Sequence, residues 1–437
     1  MTNMKNIILK NAFIVDPSQK INALGSIIIK DKIIIDLILN KNMTFDKNNF
    51  NVIDCKGYLL CPGFVDIKCH LRVPGEEHKE NLSYASHSAA SAGITSLVCM
   101  PNTDPIIDNI SMVELIQRKA RKESDVKIFS TASITKKIQG KDLTEFGLLK
   151  EAGAVGFTDA IKAVDDATVM MRALKYASAF DILLLQHPEE KSLSKSGSMN
   201  SGVLSTKLGI KGIPEEAEVL QVDRDLRLTE MTNGKIHFYN ITTAFAIDSI
   251  AAAKKKGVKV TCSTSPHYFT LTENDIRKWR TYAKVSPPLR NKKNMESIKK
   301  AILNNQIDCI TSDHSPHDTD SKRLPFEQAS PGVIGFESLL PITLKLINDN
   351  NLSVERLVEL LSFNPSKILK LKSGTLKKRR PADLVLVDYK KNIKLSTSLI
   401  KSKSNNFPYE NINGRGKIIM TIVDGKIIFN DRSFNIK

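Results

Sequence analysis

Six side chains able to ligate or orient a metal stand at or near the ends of apolar runs that lie far apart in the chain: His70, Asp159, His187, His237, Asn240 and Asp313. Imidazole nitrogens and carboxylate oxygens turned into one pocket can grip a divalent cation and leave a position open for water, which is the arrangement metal-assisted hydrolysis requires. Thr311 to His317, reading Thr-Ser-Asp-His-Ser-Pro-His, is the densest stretch. Its Asp313 directly follows an apolar run, so it is placed both to ligate a metal and to take a proton from metal-bound water. Plainer readings stand beside these. A lone strand-end histidine is commonly a hydrogen-bonded structural residue, and an Asp next to Ser-Pro is a turn former.

Joint placement favours the chemical reading, and it depends on the elements that carry the residues. Eight strand-like runs, at 63–70, 94–102, 126–133, 154–159, 182–187, 235–240, 258–267 and 307–313, each end in a polar or charged residue. Stretches with apolar residues at helical spacing lie between them at 111–122, 166–180, 243–256, 294–304 and 353–363. Alternating strand and helix predicts a parallel sheet with right-handed crossovers, and eight such units predict an α/β (β/α)8 TIM barrel whose strand ends converge on one mouth. Side chains at n and n+2 of a strand face the same way, so the first run presents Lys68 and His70 together.

Both ends of the chain are rich in short β-branched strands, for example Ser26-Ile27-Ile28-Ile29 and Lys417-Ile418-Ile419-Met420. A composite β-sandwich domain built from 1–60 and 371–437 is therefore expected, with the barrel at 61–370. The polar stretch 191–206 reads as a flexible loop.

Composition narrows the partners. A net charge of +17 invites a nucleic-acid reading, yet the lysines are spread along the chain without an aromatic-interleaved basic stripe, so no nucleic-acid partner is expected. The six cysteines, at 55, 61, 69, 99, 262 and 309, stand singly in apolar runs, which predicts buried reduced thiols rather than a disulfide framework or a zinc ribbon. No apolar run is long enough to span a membrane, and Met1 to Lys5 does not open a signal peptide. A cytoplasmic protein is expected.

Pro62-Gly63-Phe64-Val65-Asp66, His70-Leu71-Arg72-Val73-Pro74-Gly75-Glu76, Cys99-Met100-Pro101-Asn102-Thr103, Ser286-Pro287-Pro288-Leu289-Arg290 and Ser312-Asp313-His314-Ser315-Pro316-His317 together resemble the long-chain bacterial dihydroorotases of the amidohydrolase superfamily. The resemblance covers essentially the whole chain. It implies interconversion of N-carbamoyl-L-aspartate and L-dihydroorotate in pyrimidine synthesis, with zinc activating hydroxide. By position it implies His70, Asp159, His187 and Asp313 as metal ligands, Asp313 also as the catalytic base, and Arg72, Asn102 and His317 as substrate-binding groups. An oligomer is expected. A hydantoinase-like enzyme fits less well, since those usually carry a lysine where Asp159 stands.

Three positions depart from that pattern. Lys68 replaces the first histidine of a His-x-His pair, Asn240 replaces a ligand histidine, and Ser286 replaces a substrate-binding asparagine. A protonated lysine has no lone pair and repels a cation, and a neutral amide oxygen suits zinc poorly. One zinc or none is expected rather than two. Two outcomes follow: a weak enzyme with a reduced site, or a noncatalytic chain similar to the dihydroorotase-like partners of aspartate carbamoyltransferase.

Overall fold

The computed structural model of the chain describes residues 6–41 and 49–434. Met1 to Lys5, read above for targeting, lies outside the described residues. Strands β1 (Asn6–Asp16), β2 (Ile21–Lys30), β3 (Ile33–Leu39), β4 (Phe50–Asp54) and β5 (Leu59–Pro62) open the chain. The middle holds β6 (Phe64–Cys69), β7 (Ile94–Cys99), β8 (Lys127–Ser130), β9 (Leu184–Gln186), β10 (Met199–Asn200), β11 (Gly212–Ile213), β12 (Ile236–Phe238), β13 (Val260–Thr264) and β14 (Cys309–Ile310), and β15 (Leu384–Lys394), β16 (Asn413–Val423) and β17 (Lys426–Asn430) close it.

The terminal strands form one eight-stranded sheet in the order β17-β16-β15-β5-β1-β2-β3, with β4 also paired to β1. Strands from both ends of the sequence thus join through β5, which pairs antiparallel with β15 and parallel with β1. Ile14, Ile27, Ile29, Leu60, Leu384 and Ile422 are among the buried side chains of this sheet's own core. From β5 the chain passes straight into the barrel through Gly63. A Cβ there would fall 2.1 Å from Thr95 Cγ2, so only glycine lets the backbone approach this closely.

The barrel is drawn from a parallel three-stranded ladder, β6-β7-β8, and a four-stranded one, β14-β13-β12-β9. Every residue of β6 and β7 is buried, as expected of strands covered on both faces. Cys69 bridges His314 in parallel on one side of the ring, and Phe157 bridges both Ala132 and Leu184 on the other. The fourth run, 154–159, is therefore reduced to bridging at Phe157. Gly156 lies in it, packed so that a Cβ would meet Leu185 Cδ1 at 2.5 Å.

The helices follow capping chemistry. Asn109, Asp166, Thr243 and Asn291 each accept a backbone N–H at the start of the helices Ile110–Glu123, Ala167–Ala179, Ala244–Lys255 and Lys292–Leu303. Met112, Val113, Ile116 and Ala120 form the buried stripe of the first, and Arg121 and Lys122 sit at its C-terminal end, where cations are favoured. The predicted helix at 353–363 is α-helical only over Val354–Val358 and widens to a π turn over Glu359–Phe363.

The stretch 191–206, expected to be a loop, is ordered. It contains the short helix Lys191–Ser194, whose Leu193 N–H donates to Glu190, then β10 paired with β11 and the start of the helix Val203–Leu208. Asn200 pins it, accepting from Arg290 Nη1 at 3.1 Å and donating to Glu273 Oε2 at 2.6 Å. Polar composition reads as a loop from sequence because these partners lie 73 to 90 residues away. Among the described residues no helix is long and apolar enough to cross a membrane.

Candidate active site at the barrel mouth

The site begins with an irregularity in β6. Its register against β7 runs from Asp66 opposite Leu97 to Cys69 opposite Cys99, so β6 holds one residue more than its partner across this interval. Such a bulge re-aims side chains, and Lys68 lies inside it. Asp66 fixes the turn of the chain by accepting from the Lys68 and Ser312 backbone N–H groups and from the Ser312 hydroxyl. Burial pushes the Asp66 carboxyl up to about 6, although the Ser312 hydrogen bond opposes the rise.

Lys68 is 1% exposed, and its Nζ stands 2.7 Å from Asp313 Oδ1 and 5.7 Å from the centre of the Tyr239 ring. Asn240 Nδ2 donates to the other carboxylate oxygen, Oδ2, at 2.8 Å, and His267 Nε2 lies 3.5 Å from it. Ser265 in turn donates to Asn240 Oδ1 at 2.9 Å, which fixes which way the amide points. Burial alone would raise the Asp313 carboxyl, but the Lys68 charge and His267 outweigh it and hold the group well below the usual carboxylate range. Asp313 and Asn240 both adopt left-handed backbone, at φ 52° and 51°, a conformation Asp and Asn tolerate better than most residues.

Around this pair stand the other sequence-identified groups. His70 Nδ1 is 3.0 Å from Asn102 Oδ1, and burial, with the Arg72 and Lys68 cations, lowers its imidazole to about 3. His187 is lowered to about 3 by burial and by Lys68; its Nε2 lies 3.3 Å from Ser286 Oγ. Both rings are therefore neutral near pH 7. Arg72 is fully engaged: it donates to Pro316 O at 3.0 Å, Ser315 Oγ at 3.1 Å and Glu76 Oε2 at 2.8 Å, and sits 3.0 Å from His317 Nε2. Lys79 also pairs with Glu76. An incoming carboxylate would have to displace Glu76 to claim the guanidinium.

Asp159 looks elsewhere. It accepts from the Thr135 N–H at 2.9 Å and from the Thr135 hydroxyl, and burial raises its carboxyl to about 6 against those bonds. His237 lies within β12 and faces Thr261 Oγ1 at 2.8 Å and Ser263 Oγ at 3.1 Å, which makes it a cross-strand structural residue. His314 stacks on Phe336 with ring centres 3.7 Å apart and is buried beside Glu80. His267 closes the seventh run, yet sequence reading does not mark it as a site residue. Its only sequence signal is its position at that strand end.

Zinc needs several His, Cys or carboxylate donors aimed at one point. Here an ammonium sits on the central carboxylate, both oxygens of Asp313 are already engaged, and Asp159 is turned to Thr135. Among the described residues no three His, Cys, Asp or Glu side chains group in a metal-binding arrangement. The residues as placed do not fit the zinc that the sequence resemblance implies.

Comparison with known proteins defines the class. The closed barrel with its terminal β-sheet is similar to the L-hydantoinase of Arthrobacter aurescens, with a TM-score of 0.86 at 23% identity over 98% of this chain and 96% of that one. It is likewise similar to a dihydropyrimidinase from Brevibacillus agri, at a TM-score of 0.83 and 20% identity over 98% and 96%. At such identities the likeness is one of fold alone. Sequence is more specific. Residues 57–245 match a dihydro-orotase-like family model. The chain is 39% identical to a dihydroorotase of Acetivibrio thermocellus over 98% of its own length and 99% of the relative's, and 39% identical to one from Geobacter sp. strain M21 over 97% and 99%. The chain belongs to the dihydroorotase family.

Proposed function

We propose that this chain is a noncatalytic member of its family, in which an internal ion pair has taken the place of the divalent metal. The observation that carries the reading is the 2.7 Å contact between Lys68 Nζ and Asp313 Oδ1, buried at the strand ends. Hydrolysis of a cyclic amide near pH 7 needs an activated water and a base to receive its proton. Lys68 can do neither while protonated. Asp313 is a poor base because its carboxylate is already neutralised by Lys68 and held by Asn240. Arg72, the group matched to the substrate carboxylate, is occupied by Glu76.

On this reading the residual roles of Arg72, Asn102 and His317 are structural, and N-carbamoyl-L-aspartate and L-dihydroorotate are the substrates of its relatives' reaction rather than its own. The chain serves instead in the cytoplasm as a structural partner of aspartate carbamoyltransferase, in an oligomeric assembly. We take its two units as 61–370 and the composite of 1–60 with 371–437.

A dihydroorotate hydrolysis assay on the purified chain, supplied with zinc and run beside an active dihydroorotase, tests the proposal. No turnover above background is expected, and co-elution with aspartate carbamoyltransferase is expected on size-exclusion chromatography. Zinc-dependent turnover comparable to the active enzyme would establish the alternative, a dihydroorotase working with a reduced site.

A further inference from the structure

A cavity of about 920 Å³ opens between the helix Val203–Leu208, the turn around Arg280 and the segment 322–326. Its size suits a small molecule, whose pockets typically run from roughly 300 to 1,000 Å³. Five Lys or Arg residues line it: Lys207, Arg277, Arg280 and Arg323 are exposed, while Lys322 is buried in the wall with its Nζ held by Thr281 O and Ser330 O, and among the described residues no Asp or Glu lines it. The floor between them is apolar, with Ile210, Leu324 and Phe326 among its residues.

These cations differ from the general surface. Only 15 of the chain's 64 Lys and Arg residues are arginine, yet three of the five here are. A guanidinium matches the two oxygens of a carboxylate or phosphate, where an ammonium acts as a point charge. Arg280 also holds φ 47° and ψ −124°, a backbone conformation that ordinarily calls for glycine. The walls are fixed rather than loose. Lys322 Nζ donates to Thr281 O at 3.0 Å, Thr281 Oγ1 to Lys322 O at 2.6 Å, and Lys284 Nζ to Phe326 O at 2.7 Å. Clustering like charges around an apolar floor costs stability unless an anion offsets it.

We infer that this cavity is a binding site for a small organic polyanion, carrying phosphates or clustered carboxylates on an apolar or planar body. The anionic groups meet Arg277, Arg280 and Arg323, and the body lies on the apolar floor. The site shares no lining residue with the Lys68–Asp313 centre, so it stands whether or not the chain is catalytic.

Isothermal titration calorimetry of the full chain with ATP, inorganic triphosphate and citrate tests this at low salt. Saturable binding is expected. ATP tighter than triphosphate would identify a phosphate ligand using the floor, and citrate tightest would identify a carboxylate one. Triphosphate equal to or tighter than ATP, with citrate no tighter than either, would overturn the amphipathic assignment. The triple variant Arg277→Ser, Arg280→Ser, Arg323→Ser, whose side chains are exposed, should bind at least about tenfold more weakly. The control Arg118→Ser, Arg121→Ser, Lys122→Ser removes the same charge elsewhere and should bind as the wild type does. No saturable binding by the wild type, undiminished binding by the pocket variant, or equal loss in both variants would each overturn the inference.

Discussion

Replacing Lys68 by methionine is expected to destabilise the fold by roughly 3–5 kcal/mol at neutral pH, the usual cost of leaving one member of a buried ion pair uncompensated. Methionine fills similar space, so the loss falls on the charge of Asp313, whose surroundings otherwise offer Asn240 and a neutral His267. Asp313→Asn added to Lys68→Met should recover most of it, because Asn keeps the left-handed backbone of position 313 while removing the stranded charge.

The pH dependence has a defined sign. In the wild type the Asp313 carboxyl is held below its unfolded value, so its contribution is fully present above about pH 4 and is lost as pH falls further. In Lys68→Met, burial without the cation raises the carboxyl, and stability falls as pH rises through that raised value. The two proteins should therefore differ most near pH 7 and converge in acid. Urea unfolding at several pH values measures this. A cost under about 1 kcal/mol at pH 7 would mean that the pair is solvated and energetically idle.

The second large effect is a gain. Lys68→His with Asn240→His replaces the ammonium and the amide by imidazoles beside His70, His187 and Asp313, and frees both oxygens of Asp313. Dialysed against zinc, the double variant should retain about one ion per chain or more, where the wild type retains none. Its thermal midpoint should rise with zinc concentration, since a ligand at about 100 times its Kd adds roughly 2.7 kcal/mol to the folded state. Atomic absorption and thermal melts report the two quantities. Failure to bind would place the fault at Asp159, whose carboxylate is committed to Thr135 and would have to rotate away from it.

Much of the scaffold is legible from sequence because its signals are local. The helix Ile110–Glu123 carries its cap at Asn109, its buried stripe and its basic last turn within fifteen residues. β6 and β7 are buried along their whole length, and Phe64, Val65, Ile67, Ile94, Leu97 and Val98 give the apolar signal by which they are read as strands covered on both faces. What escapes is long-range. Lys68 and Asp313 are 245 positions apart and meet only because Cys69 bridges His314 across the closing seam of the barrel. Sequence shows that Lys68 departs from the family pattern. It does not show that the ammonium reaches the carboxylate. Arg72 teaches the opposite lesson, since Glu76 and Lys79 at four and seven positions on are visible neighbours, and their spacing could have signalled that the guanidinium is engaged. His267 carries no sequence signal beyond its place at the end of the seventh run, and its 3.5 Å approach to Asp313 ties it to the mouth.

Anomalous diffraction at the zinc absorption edge, from crystals grown with zinc in excess, shows whether the Lys68–Asp313 pair stands where a metal would bind. No peak is expected within bonding distance of His70, His187 or Asp313, with Lys68 Nζ seated against Asp313. Two peaks there with ligand distances of about 2.0–2.2 Å, and Lys68 turned away, would contradict that arrangement.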